Sequence, residues 1–139
     1  MTAWARARRQ AAWSADDQPT PALIAVVDDD LSMREAMADL LESLGFRTAS
    51  FASAEACLES GVLTDVALIL LDLQMPGMGG MGLLGRLADS GVAILVVVMT
   101  AHEGEGPRAA ALAAGAAAVL AKPIDRRSLA EVLDQLPWG

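Results

Sequence analysis

The sequence predicts an α/β protein: a doubly wound parallel sheet of five strands with five helices. Two observations carry this expectation. Five short runs, ALIAVV (22–27), FRTASF (46–51), VALILL (66–71), VAILVVVM (92–99) and AAVLA (117–121), alternate with stretches of helical periodicity. Most of these runs are continuously apolar, so their strands need cover on both faces, which helices on the two sides of a parallel sheet supply. No repeat of solenoid period interrupts the rhythm.

Each element has its own signal. ALIAVV has the length and β-branching of a buried strand. Leu31, Met33, Met37, Leu40, Leu41 and Leu44 then recur at helical spacing, and Gly45 supplies the stop. Ser32 and Glu35 form an S-x-x-E capping box for that helix. After the second strand, Ser53 is the cap candidate of a short helix that runs to Ser60, before the turn at Gly61. VALILL leads into a helix over 80–90, and VAILVVVM into one over 107–114 ended by Gly115. Asp125 caps a last helix in which Leu129, Val132, Leu133 and Leu136 share one face. Residues 1–21 show no sustained apolar face and close with two prolines, so they read as a flexible tail ahead of a single domain over 22–138.

Composition narrows the class. A hydrophobic content of 54% supports a proper core, and 139 residues leave room for one ordinary domain. The formal net charge of −8 argues against a nucleic-acid-binding surface, which needs a basic patch. The single cysteine, Cys57, cannot form an internal disulfide and fits a reducing compartment. The longest apolar runs are far shorter than the roughly 20 residues of a spanning helix. Arg6, Arg8 and Arg9 are not followed by the apolar stretch of a signal peptide. A cytoplasmic protein, without membrane or nucleic-acid partners, is the expectation.

In a sheet of this kind, reactive groups collect beyond the carboxyl ends of the strands. The first strand delivers Asp28, Asp29 and Asp30, the third Asp72, the fourth Thr100 and the fifth Lys122. Three consecutive carboxylates beside an apolar core repel one another and lose hydration, so something must offset their charge. Carboxylates and carbonyls are the hard oxygen donors that Mg²⁺ prefers. An Asp, a hydroxyl and an ammonium around such an ion are the parts that phosphoryl transfer needs: in-line positioning and neutralised oxygens.

The ordered set VVDDD, LLDLQMPGMGG, VVVMTAH and AKPI resembles the receiver domain of two-component response regulators, in its stand-alone type, over residues 22 to about 137. Intervals of 43 positions from Asp29 to Asp72, 28 to Thr100 and 22 to Lys122 support the likeness. The resemblance implies a flavodoxin-like strand order of 2-1-3-4-5. It implies that Asp72 accepts a phosphoryl group from a sensor histidine kinase or a phosphotransfer protein. Asp28, Asp29, Asp72 and the backbone carbonyl of Gln74 would hold Mg²⁺, Thr100 would donate to a phosphoryl oxygen, and Lys122 would pair with another. Asp30 would cap or solvate the loop, and the Lys122–Pro123 bond would be cis. Such a protein is a switch that assists its own phosphorylation and dephosphorylation. It signals to an unidentified downstream protein, as a monomer or weak dimer.

Other readings share parts of this pattern. A Mg²⁺-dependent aspartyl phosphatase wants a second Asp two residues after the nucleophile, where this chain has Gln74. A nucleotide- or flavin-binding domain needs a phosphate-binding loop where this chain places acids. A receiver-like interaction module acting without phosphorylation would lack Asp72 or Lys122. His102 reads as a loop residue, and Met75, Met78 and Met81 as loop and core packing. Where the family usually carries an aromatic three residues before the lysine, this chain has Val119, so the aromatic part of the switch is expected to be missing. The Ala- and Gly-rich RAAALAAGAAAVLA predicts a fourth helix of low local stability.

Overall fold

The computed structural model describes residues 22–91, 94–101 and 105–137, so the predicted tail over 1–21 and His102 lie outside the described residues. The elements follow the predicted rhythm: β1 (Leu23–Val27), α1 (Leu31–Ser43), β2 (Arg47–Phe51), α2 (Ala54–Glu59), β3 (Val66–Asp72), α3 (Gly79–Ser90), β4 (Leu95–Thr100), α4 (Glu105–Ala113), β5 (Ala118–Ala121) and α5 (Arg126–Gln135). A 3₁₀ turn, Val62–Thr64, precedes β3. The five strands form one parallel sheet in the order β2-β1-β3-β4-β5, as expected. No helix among the described residues is long and apolar enough to cross a membrane.

Because successive side chains of a strand point to opposite faces, each central strand feeds two cores. Ile24, Val26, Leu68, Leu70, Val97 and Met99 pack with Met37 and Leu41 of α1 and with Leu129 and Leu133 of α5. On the other face Ala25, Val27, Ile69, Leu71, Val96 and Val98 pack with residues of α2, α3 and α4. Cys57 of α2 is free and buried in that second core, where burial pushes its thiol up to about 11.

Three local expectations need correction. The capping box is not the start of α1: Asp30, in extended conformation, is the N-cap, and its Oδ1 accepts from the amides of Ser32 and Met33. A carboxylate one residue ahead of the first turn meets the exposed amides directly, which leaves Ser32 inside the helix. Leu31, the first residue of α1, fits the apolar spacing of the helix but is 59% exposed. Met81 is likewise exposed on α3, whereas Met75 and Met78 pack on the second core. Ser53 and Asp125 do cap α2 and α5, accepting from the amides of Ala56 and Ser128.

Candidate functional site

Parallel strands end at the same edge of the sheet, and the order β1-β3-β4-β5 lines up the ends that carry Asp28, Asp72, Thr100 and Lys122. The register is close: Asp72 pairs with Met99, and Thr100 with Ala121. Among the described residues, the buried polar or charged side chains are Asp28, Asp72 and Thr100. All three stand at strand ends on this one edge. Nothing in a packed core tolerates such groups without partners, so their clustering marks the place where the fold carries a cost for chemistry.

The partners are specific. Lys122 Nζ reaches 3.2 Å from Asp28 Oδ2 and 3.5 Å from Asp72 Oδ1, bridging the two buried carboxylates. One carboxylate oxygen each from Asp28, Asp29 and Asp72 lies within 4.8 Å of the others, with Asp29 exposed at the mouth. Asp28 Oδ1 also accepts from the amide of Asp30, which ties the loop to the strand end. Asp72 Oδ1 accepts from the amide of Gln74 at 3.1 Å, while the side chain of Gln74 is exposed. Lys122 N donates to the Thr100 carbonyl at 2.8 Å, joining the ends of β4 and β5. The Lys122–Pro123 peptide is cis.

Electrostatically the site is short of positive charge. Burial raises the Asp72 carboxyl above the ordinary carboxylate range; the Gln74 amide lowers it, the neighbouring Asp28 raises it and the Lys122 ammonium lowers it. Three carboxylates face one ammonium, an excess of two formal negative charges. An oxygen-only donor set with that excess fits a hard divalent cation.

Two residues that support the site were not singled out from the sequence. Arg34, in the first turn of α1, donates from Nη1 to the Asp28 carbonyl at 2.8 Å. The signal was present in principle, because helical side chains lean toward the N-terminus and a long one there reaches the preceding loop. Gly80 lies against the backbone of Asp72 and Leu73: a Cβ at Gly80 would sit 2.7 Å from Leu73 Cα and closer still to the Asp72 carbonyl oxygen. Only a residue without a side chain lets α3 start this near β3.

Comparison with known proteins agrees with this geometry. The family described as response regulator receiver domain matches residues 24–134. The transcriptional regulatory protein FixJ of Azorhizobium caulinodans is 45% identical over 101 residues, covering 72% of this chain and 47% of that protein. Nodulation protein W of Bradyrhizobium diazoefficiens is 30% identical over 114 residues, covering 82% of this chain and 50% of that protein. The chain thus spans about half the length of these curated relatives. Among solved structures, a response regulator receiver protein from Burkholderia phymatum is 37% identical with a TM-score of 0.69, covering 84% of this chain and 98% of that one. Chemotaxis protein CheY4 of Vibrio cholerae, at 21% identity, covers 83% of this chain and 98% of its own, and shares the fold with a TM-score of 0.76. An acidic pocket at the sheet edge, bridged by a lysine and set in a sheet of this order, together with the family match, makes this chain a member of the response regulator receiver domain family.

Proposed function

We propose that residues 22–138 form a receiver that accepts a phosphoryl group on Asp72 from a phosphohistidine, in a magnesium-dependent reaction in the cytoplasm. The donor is a sensor histidine kinase or a phosphotransfer protein, and the output is a changed set of protein contacts with a downstream target. The observation that carries this reading is Lys122 Nζ held between the carboxylates of Asp28 and Asp72. A lysine in that place works against the upward push of burial on the Asp72 carboxyl and leaves an ammonium beside the incoming phosphoryl oxygens.

In the transfer, an Asp72 carboxylate oxygen forms a bond to phosphorus as the P–N bond of the phosphohistidine breaks. The bonding pair stays with the departing imidazole nitrogen, which then takes a proton. Asp28, Asp29, Asp72 and the backbone carbonyl of Gln74 would hold Mg²⁺ at this edge. When bound, the ion neutralises the carboxylate excess and the charge of the transferring group. Lys122 pairs with one phosphoryl oxygen, and the Thr100 hydroxyl donates to another. Buried Thr100 ends β4, and its carbonyl accepts from the amide of Lys122, so a shift of one strand end is passed to the next. The new group brings about −1.5 to −2 charges to this edge. Receiver domains act as switches rather than enzymes, and with half-buried Val119 in β5 the relay runs without an aromatic side chain at that place.

The test is incubation with acetyl phosphate and Mg²⁺, followed by intact-protein mass. A single phosphoryl adduct is expected on the native chain and none on Asp72→Asn. An adduct that persists in Asp72→Asn assigns the acceptor elsewhere, and steady phosphate release from many small esters favours a phosphatase.

A further inference from the structure

The N-terminal edge of the sheet, opposite the acidic cluster, carries an apolar cleft of about 250 Å³ between α3 and the end of α4. Leu84, Leu87 and Ala88 line it from α3, Ile94 from just ahead of β4, Val96 from β4, and Ala114 from the turn after α4. The cleft has a plain origin. Ala88, Ala114 and Gly115 stand on its two helical sides, and residues with so little side chain leave the space between α3 and the turn after α4 unfilled. An apolar recess open to solvent is a place that a large side chain can stabilise by burial.

The chain's own N-terminal segment is at hand to cover it. β1 begins at the same edge, since all five strands are parallel. Ala22, just ahead of β1, is fully buried, and its carbonyl accepts from the amide of Arg47. Residues 1–21 therefore join the domain at the edge where the cleft lies. Only β3 stands between β1 and β4, which sets the lateral distance at about 10 Å, with a similar step out to the helix layer. Trp13 precedes Ala22 by nine residues, and Pro19 and Pro21 favour extended backbone. Nine such residues reach about 28 Å, enough with slack. Charge favours the approach as well: residues 1–21 carry three Arg against two Asp, while residues 22–139 carry seven basic against sixteen acidic side chains. An indole has the apolar body for the cleft and an N–H that can stay at its mouth. Trp4, nine residues farther out, would close a longer loop at greater entropic cost.

We propose that Trp13 seats its indole in this cleft of its own chain, so that the N-terminal segment is a wedge between α3 and α4. This holds whether or not Asp72 is the phosphoacceptor. The test uses the full chain with Trp4→Phe and Trp138→Phe, which leaves Trp13 as the sole indole. Its emission is expected to be blue-shifted and several-fold less quenched by acrylamide than in denaturant. Filling the cleft by Ala88→Leu, or independently by Ala114→Leu, should return both readings to the solvent-exposed values while a cooperative melt is retained. Solvent-like emission in the parent chain overturns the proposal. So does a buried signal that neither filled cleft displaces, and so does a burial that disappears on dilution, which would mean a second copy supplies the cleft.

Discussion

Neutralising Asp72 should stabilise the metal-free protein, although the residue is buried and well partnered. With an effective dielectric near 20, carboxylate oxygens at the 4.8 Å limit repel by about 3.5 kcal/mol. The Lys122 ammonium, 3.5 Å from Asp72, returns about 5 kcal/mol on the same scale. Asp28 alone offsets most of that attraction, and exposed Asp29 adds a smaller, screened repulsion. Attraction and repulsion thus nearly cancel, and the burial of a charge at 4% exposure is offset only in part by the Gln74 amide. Asp72→Asn keeps the shape and removes that charge, so a gain on the order of 1–2 kcal/mol follows, a rise in Tm of about 3–6 °C. The pH dependence fixes the sign. Since the folded-state carboxyl is raised, the folded protein holds the proton longer than the unfolded chain. Native stability then falls as pH climbs from the unfolded Asp value, near 4, through the raised folded value, and is flat above it. Thermal melts of both proteins in EDTA should converge at acid pH and separate at neutral pH, with Asp72→Asn the more stable. Magnesium should raise the native Tm more than that of the variant. A variant less stable than the native chain in EDTA at pH 7, or equally shifted by magnesium, would refute the electrostatic account.

Three further outcomes follow from the same contacts. Lys122→Ala leaves two buried carboxylates without their cation and should cost about 2 kcal/mol or more in EDTA, read by urea unfolding, with phosphorylation strongly reduced. Arg34→Ala removes the bond to the Asp28 carbonyl; a loss of about 1 kcal/mol and weaker magnesium binding by titration are expected, with Arg34→Lys an incomplete rescue. Amides of α4, where Ala111 alone among the described side chains is fully buried, should exchange faster than those of β3 and β4; equal protection would contradict the weak packing read from the alanines.

Much of this architecture can be read from one dimension, for reasons visible in single elements. VALILL reads as a doubly covered strand, because six consecutive apolar residues fit neither a helix with a polar face nor a half-exposed strand, and the run is short for a buried helix. Asp125 and Ser53 announce helix starts because short polar side chains satisfy the exposed amides there. Spacing was a poorer guide where two residues competed for one role. Asp30 displaced Ser32 as the cap because its position relative to the first turn, not its membership of a motif, sets the bond. Leu31 and Met81 satisfied the helical period yet face solvent, since periodicity places residues on a stripe but does not say how far the sheet beneath it extends.

The chain alone determined which side chains end which strands, since strand length and apolar runs are local properties. Whether those ends meet was a tertiary matter. Placing β1 beside β3 brings Lys122 within reach of Asp28 across 94 positions of sequence. The support from Arg34, the close passage of Gly80 past Asp72 and the cleft between α3 and Ala114 also depend on distances between elements. Such distances are set by packing, to which no window of local sequence has access.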